Sequence, residues 1–136
     1  MGNILVAGIA LTLLAGNVFA DTAACPPKAT IKQVALSGGG FRYSAPGPDQ
    51  RTWRGTNEYA DDHYLAAVDF KKAVFKDTAF KNNPEAVICS YKGRGDAVVK
   101  LTLKPFSNWK ASKGARWSKQ QCAASNTSRC SFKYTP

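Results

Sequence analysis

Four cysteines in a short chain place the strongest constraint on the fold. They are Cys25, Cys89, Cys122 and Cys130, separated by 64, 33 and 8 residues. An even number of cysteines in a small exported chain is typical of a disulfide framework, whereas a structural zinc site needs close pairs such as C-x2-C. We therefore expect two disulfides and no metal. Four cysteines allow three pairings, of which we favour Cys25 with Cys89 and Cys122 with Cys130.

The first twenty residues are typical of a cleavable Sec signal peptide. Residues 4–16 form an uncharged apolar block that runs into Val18, Phe19 and Ala20, just before Asp21, the first acidic residue. A Val-x-Ala sequence is typical of a signal peptidase site, and the block is shorter than the roughly 20 apolar residues of a membrane span. We predict cleavage after Ala20, no stable membrane span afterwards and a periplasmic location, with secretion as the alternative.

The part that follows the predicted signal peptide has the size of one domain. Residues 21–136 number 116, and no internal repeat or low-complexity linker divides them. A domain of this length buries about two thirds of the surface that its unfolded chain exposes, so disulfides would add substantially to its stability. We predict a single basic β-rich domain over residues 21–136.

Positive charge is concentrated toward the C-terminal end. The formal net charge is +10. Residues 21–96 contain eleven Lys or Arg against nine Asp or Glu, while residues 97–136 contain eight Lys or Arg and no acid. Because a region of one sign repels itself, it favours a partner of opposite charge, although selection for solubility explains the same bias. On the first interpretation the partner-binding face consists of Lys100, Lys104, Lys110, Lys113, Arg116, Lys119, Arg129 and Lys133.

Short alternating segments predict antiparallel strands. Residues 30–36 and 41–45 flank a run of three glycines, which suits a turn because glycine adopts positive φ at little cost. Residues 86–92 and 97–104 are rich in β-branched residues and flank a glycine-containing loop, which indicates a hairpin. Strand side chains repeat with period two. We therefore expect Val87, Cys89 and Tyr91 to share one face, with Cys89 pointing inward.

Residues 63–76 fit either a helix or strands. A helix would place Lys72 within its apolar stripe, whereas strands need only a bulge at Lys71 and Lys72. We favour strands, in which the inward residues are Val68, Phe70, Ala73 and Phe75. The predicted fold class is therefore mainly β: a small antiparallel β-sandwich or curled sheet with at most one or two short helices, stapled by two disulfides.

The sequence offers little support for catalysis. His63 is the only histidine, and it follows Asp61 and Asp62, where carboxylates can orient an imidazole or hold a cation. A solvated acidic loop explains the same residues. Disulfide pairing consumes the thiols that a cysteine nucleophile needs, and serine-hydrolase and phosphate-loop signatures are absent. We expect no enzymatic activity, no cofactor and no metal site.

Three further features have both a functional and a structural interpretation. Arg94-Gly95-Asp96 spells the tripeptide that integrins bind, but Gly and Asp also favour a hairpin turn. Asn126 begins a glycosylation sequon, which matters only in a glycosylating pathway. Tryptophans among cations can stack nucleic-acid bases, but in a small domain they are more often core anchors. We therefore expect no nucleic-acid partner for Trp53, Trp109 and Trp117.

Cysteines, aromatic residues and turns follow one another in a distinctive order. The landmarks are Cys25-Pro26, Ile31-Lys32, the segment from Tyr43 to Pro46, Trp53-x-Gly55, Phe70-x-x-Ala73-x-Phe75, Cys89-x-Tyr91, Trp117, Cys122 and Cys130-x-Phe132. This order resembles a bacterial family of small exported proteins that carry a domain of unknown function, and a periplasmic accessory factor of the Dot/Icm type IVB secretion system. The resemblance implies a non-enzymatic periplasmic protein and no catalytic residue.

Two functional hypotheses follow. The first is a periplasmic binding or scaffold protein for envelope or secretion-system proteins, acidic ones in particular. It would use the basic C-terminal half or strand addition at a sheet edge, which also allows a homodimer. The alternative is a secreted effector or nuclease-like enzyme that acts on an anionic polymer, for which His63 or a carboxylate must be essential.

Overall fold

The computed structural model describes residues 21–77 and 85–136. The predicted signal peptide, residues 1–20, lies outside these ranges. Within them the chain is mainly β, as predicted, with eleven strands, one short α-helix and three 3-10 turns. No helix in these two ranges is long and apolar enough to cross a membrane.

Eight of the strands form one antiparallel sheet. Their order is β2-β3-β4-β7-β6-β5-β10-β9, so β2 and β9 are its two edges. Strands that follow one another in sequence mostly lie side by side, which is the usual pattern for chains joined by short turns. The strand bounds are β2 Lys32–Ala35, β3 Phe41–Pro46, β4 Thr52–Asn57, β5 Asp69–Lys76, β6 Ala86–Lys92, β7 Val98–Leu103, β9 Trp117–Ser118 and β10 Gln121–Ala123.

The other three strands form a smaller antiparallel sheet that shares a core with the first. Its order is β1-β11-β8, with β1 Asp21–Ala23, β8 Ser107–Ala111 and β11 Phe132–Thr135. Rings from both sheets meet in the interior. Trp109 of β8 stacks on Phe75 of β5 with centroids 4.3 Å apart, and buried Phe132 of β11 lies 6.4 Å from Trp117 of β9. Aromatic pairs at such distances add to the apolar burial that holds two sheets together.

Both predicted hairpins are present. The glycine run joins β2 to β3, and Gly39 and Gly40 have φ of 105° and 79°, which only glycine adopts readily. The second hairpin joins β6 to β7. The inward face predicted for β6 is also confirmed, because Val87, Cys89 and Tyr91 are all fully buried.

Residues 63–76 divide into two elements. Residues 69–76 form the predicted strand β5, with the expected bulge between Phe70 and Lys72. Residues 64–67 instead form a single helical turn, α1 (Tyr64–Ala67), in place of the predicted strand. The turn closes because Ala67 N–H donates to His63 O and Val68 N–H donates to Tyr64 O. This turn carries the chain from the end of β4 to the start of β5, a connection that alternation within the sequence does not reveal.

The two disulfides have the predicted pairing. Cys25 and Cys89 have Cα atoms 5.8 Å apart, and Cys122 and Cys130 have Cα atoms 5.6 Å apart, both ordinary spacings for a disulfide. The first bridge ties the segment after β1 to β6 at the centre of the large sheet. The second joins β10 to the turn that precedes β11. All four cysteines are buried.

A tyrosine hydrogen bond reinforces the first disulfide. The hydroxyl of buried Tyr91 donates to the carbonyl of Pro26, next to Cys25, and burial raises the pKa of the Tyr91 phenol well above its usual value. We expect Tyr91→Phe to lower the free energy of unfolding by about 1 to 2 kcal/mol, because the buried Pro26 carbonyl loses its donor. Urea unfolding followed by tryptophan fluorescence measures this. The control is Tyr59→Phe, since Tyr59 is 87% exposed; equal losses in the two variants would contradict the prediction.

Candidate functional site

The outer face of the large sheet, on the side away from the core, carries an unbroken row of polar residues. Antiparallel partners share a face, so the register Lys32–Ser44–Arg54–Thr102 runs across β2, β3, β4 and β7. The inner face alternates with it and carries the buried residues of the same strands. Lys32 and Arg54 are exposed. This row therefore places two cations on one side of the sheet, two strands apart.

A second row brings more cations to the same face. Arg42 is opposite Thr56, and Lys100 and Lys72 lie on either side of Ser90, their common partner on β6. Diagonal neighbours on a sheet face are about 7 to 8 Å apart, which is the relation of Arg42 to Arg54. We call this surface the cationic face; it consists of Lys32, Arg42, Arg54, Lys72, Lys92 and Lys100.

The cationic face has almost no compensating negative charge. Asp69, the partner of Lys92, is the only acidic residue in the six strands from β2 to β7. Asp69 Oδ1 lies 4.0 Å from Lys28 Nζ. Among the described residues, no carboxylate lies within 4.0 Å of any side-chain nitrogen of the cationic face. Because these side chains form no ion pair within the described chain and only Lys92 has an acidic cross-strand neighbour, most of their charge is available to an anionic partner.

A groove of about 700 Å³ lies beside Arg54 at the junction of β4 and β7. Arg51 and Lys104 add their charges to its wall. Arg51 is held in place, since its Nη2 donates to Pro105 O at 2.7 Å and its guanidinium lies 4.8 Å from the centroid of the Phe106 ring. A guanidinium fixed in this way loses little side-chain entropy when it binds a carboxylate or phosphate. The remaining lining residues are Gln50, Thr52, Thr102 and Leu103.

Comparison with protein families agrees with the resemblance in the sequence. A model of proteins of unknown function, DUF3757, matches residues 20–133. The chain belongs to the DUF3757 family. The match covers nearly all of the predicted domain, residues 21–136. It does not show that the chain is EirA, the Dot/Icm accessory factor that its landmarks resemble. Comparisons with curated proteins and with solved structures find no match.

The eight C-terminal cations of this DUF3757 domain are all exposed, but they lie in separate places. Lys100 belongs to the cationic face, and Lys104 lines the groove beside it. Lys110 and Lys133 are direct cross-strand partners in the small sheet. The other four lie outside β7, β8 and β11, and they are Lys113, Arg116, Lys119 and Arg129. The role of the eight as a partner-binding face stays a prediction.

His63 lies on the surface of the DUF3757 domain. Its Nδ1 is 2.9 Å from Asp62 Oδ1 and 3.5 Å from Asp61 Oδ1, and its side chain is 86% exposed. All three residues of the cluster are exposed. Acid–base catalysis generally uses groups in a cleft that excludes water and shifts their pKa. The cluster is thus open to solvent, as a solvated acidic loop would be, although its three ligand atoms lie within 4.8 Å of one another, close enough to hold a cation. The absence of a metal and of catalysis at His63 stays a prediction.

Two surface motifs lie in turns of the DUF3757 domain. Arg94, Gly95 and Asp96 form the exposed turn between β6 and β7, where Gly95 has φ of 63°. The turn requires this backbone geometry whatever else the tripeptide does. Asn126 is exposed and its Oδ1 accepts from Ser128 N–H at 3.0 Å, which caps the 3-10 turn Thr127–Cys130. Both motifs thus have a local structural role.

The three tryptophans pack within the DUF3757 domain. Trp53 is 1% exposed. Trp109 and Trp117 are half-buried and meet edge to face with centroids 4.8 Å apart, and Trp117 Nε1 donates to Ser131 O at 2.8 Å. These contacts explain the tryptophans as anchors of the core. The sequence signal that points to the cationic face is weaker: single cations at alternate strand positions, spread from Lys32 to Lys100.

Proposed function

We propose that this DUF3757 protein is a non-enzymatic binding or scaffold module of the bacterial periplasm, and that its cationic face meets an anionic partner protein of the envelope. The observation that carries the proposal is the set of six cations on one sheet face, five of them exposed, with Asp69 the one acidic residue in the same strands and no carboxylate of the described residues within 4.0 Å of their side-chain nitrogens. Charges of one sign on one face raise the rate of encounter with a partner of opposite sign.

The compartment in the proposal is supported by the cysteines. Both disulfides join buried residues, and the described chain has no free cysteine. Such bridges form and persist in oxidising compartments, of which the periplasm is one. Together with the signal sequence predicted over residues 1–20, this favours action outside the cytoplasm. The landmarks shared with the Dot/Icm factor favour, as the finer form of the proposal, support of a type IVB secretion system.

Charge reversal on two faces tests the proposal. Arg54→Glu combined with Lys100→Glu changes the cationic face, and Lys110→Glu combined with Lys133→Glu makes the same change in net charge on the small sheet. Both pairs are exposed, so neither should prevent folding, which circular dichroism checks. We expect the first variant to lose periplasmic partners in a pull-down at about 50 mM salt and the second to retain them. The wild-type protein should release the same partners at about 500 mM salt, since screening weakens surface attraction.

Two results would contradict the proposal. One is a set of captured proteins that the Arg54 and Lys100 variant leaves unchanged. The other is a loss that occurs only in the Lys110 and Lys133 variant, which would favour a binding face in the C-terminal cations instead.

A further inference from the structure

The edge strand β2 leaves its backbone open on one side. Among the described residues β2 pairs only with β3. Leu36 N–H donates to Gly40 O, so the backbone groups of Leu36 face β3, and so do those of every second residue before it, Val34 and Lys32. Backbone groups in an antiparallel pair alternate between facing the partner strand and facing away from it. The N–H and C=O of Gln33 and Ala35 therefore point away from β3, toward the open side.

An apolar groove runs beside this edge on the inner side of the sheet. It measures about 600 Å³ and lies between β2 and α1. Ile31 forms its buried floor and Leu65 is half-buried in its wall. Lys28 and Asp62 also line it, and Lys28 Nζ donates to Ala66 O at 2.9 Å. A strand added to β2 would direct every second side chain toward this groove, since neighbouring strands share their faces.

The groove wall also holds an acceptor whose hydrogen bond is not made. Gln33 Nε2 donates to Asp62 O at 3.1 Å, which fixes the amide. Gln33 Oε1 is buried and has no hydrogen-bond partner in the described structure. A buried acceptor without a donor is unfavourable, but this oxygen is closed to solvent, so an occupant of the groove does not reach it and the case for the edge rests on its backbone, its groove and its charge.

Charge on the outer side of the edge restricts the occupant. Lys32 and the 56% exposed Val34 point to the outer face, and Arg42 lies directly opposite Val34 on β3. A second copy of β2 would bring another lysine toward these cations, and its chain carries a net charge of +10. Like charges that face each other on neighbouring strands oppose pairing of those strands. Acidic side chains at the outer positions of an added strand would instead lie beside Lys32.

We propose that the β2 edge binds an extended acidic peptide segment of the partner, with apolar residues in the groove alternating with acidic residues beside Lys32 and Arg42. The inference rests on the proposed function, since the segment would belong to the anionic partner. Addition of a strand to an open edge is a common mode of peptide recognition, in which backbone bonds supply affinity and pockets for alternate side chains supply specificity.

Fluorescence polarisation with a labelled peptide of alternating glutamate and valine tests the inference. We expect binding that weakens about tenfold or more in Ala35→Pro and in Leu65→Asp. Proline removes an N–H that points away from β3 and leaves the sheet bonds intact, and edge strands tolerate it. Thermal unfolding checks that each variant folds. The same peptide methylated at alternate backbone nitrogens needs no change in the protein, and we expect it to bind about tenfold more weakly or worse.

Several outcomes would overturn the inference. Equal binding of a lysine–valine peptide would remove the charge argument, and equal binding of the methylated peptide would remove the strand argument. A dimer in sedimentation that Ala35→Pro abolishes would assign the edge to a second copy. The cationic face is tested separately. If Ala35→Pro leaves capture of periplasmic partners intact while Arg54→Glu with Lys100→Glu abolishes it, the edge inference fails and the proposed function stands.

Discussion

Replacing both Cys25 and Cys89 with alanine is expected to lower the free energy of unfolding by about 4 kcal/mol. The bridge spans 64 residues, and the loop-entropy model assigns a closed loop of that length about this contribution. Small domains have a total stability of about 5 to 15 kcal/mol. The variant is therefore expected to unfold at a much lower urea concentration, or to fail to fold at about 37 °C.

The second disulfide provides a matched control. Cys122 and Cys130 are also fully buried, but their bridge spans only 8 residues, for which the same model gives about 2 to 3 kcal/mol. Because both pairs remove buried sulfur, the difference between the two double-alanine variants reports on loop length and on the attachment of the N-terminal segment to β6. Urea unfolding under non-reducing conditions measures both. A larger loss in the Cys122 and Cys130 variant would contradict this account.

Gly55→Ala is expected to destabilise the protein by about 3 kcal/mol or more. A Cβ on Gly55 would lie 1.8 Å from the carbonyl oxygen of Lys100 and 2.9 Å from its carbonyl carbon. These are backbone atoms of β7, so no side-chain rotation relieves the clash, and overpacking of this kind costs about 1 to 3 kcal/mol or more. The strands β4 and β7 join the β2-β3-β4 part of the sheet to β6 and β5. The clash therefore acts where the two parts of the cationic face meet.

Gly38→Ala is the control for this substitution. No atom lies within 4 Å of a Cβ built on Gly38, and its φ is not in the left-handed region. We expect a change within about 1 kcal/mol, in either direction, because alanine also reduces the freedom of the unfolded chain. Thermal unfolding compares the two variants. If Gly55→Ala is as well tolerated as Gly38→Ala, β4 and β7 do not approach as closely as the structure has them.

The mainly β class and the strands β2, β3, β5, β6 and β7 were predictable because local signals and pairing agree; the other six strands lie in segments for which no strand was predicted. The β-branched alternation around Cys89 predicted both the β6–β7 hairpin and the burial of the sulfur, and the glycine run predicted the β2–β3 turn. The helical turn Tyr64–Ala67 was not predicted. Its four residues are too few to show a helical period, and its position depends on where β4 ends and β5 begins.

The candidate site was less accessible to sequence reasoning. Counting charges along the chain pointed to residues 97–136, but contacts in an antiparallel sheet join residues that are far apart in sequence. Arg54 faces Thr102, and Lys72 lies across Ser90 from Lys100. The cationic face therefore combines cations from both halves of the chain, while Lys110 and Lys133 lie on the other sheet.

By itself the sequence indicated the strands β2, β3, β5, β6 and β7 and the inward face of β6, and it favoured, among three possible pairings, the disulfides that the structure confirms. These properties follow from side-chain alternation and from the number and spacing of cysteines, which are local or countable. Only the tertiary structure decided which cations share a face, which strand is left at the edge and what groove lies beside it. These depend on strand order and register, and the sequence specifies those through the packing of the whole core and not at any one position.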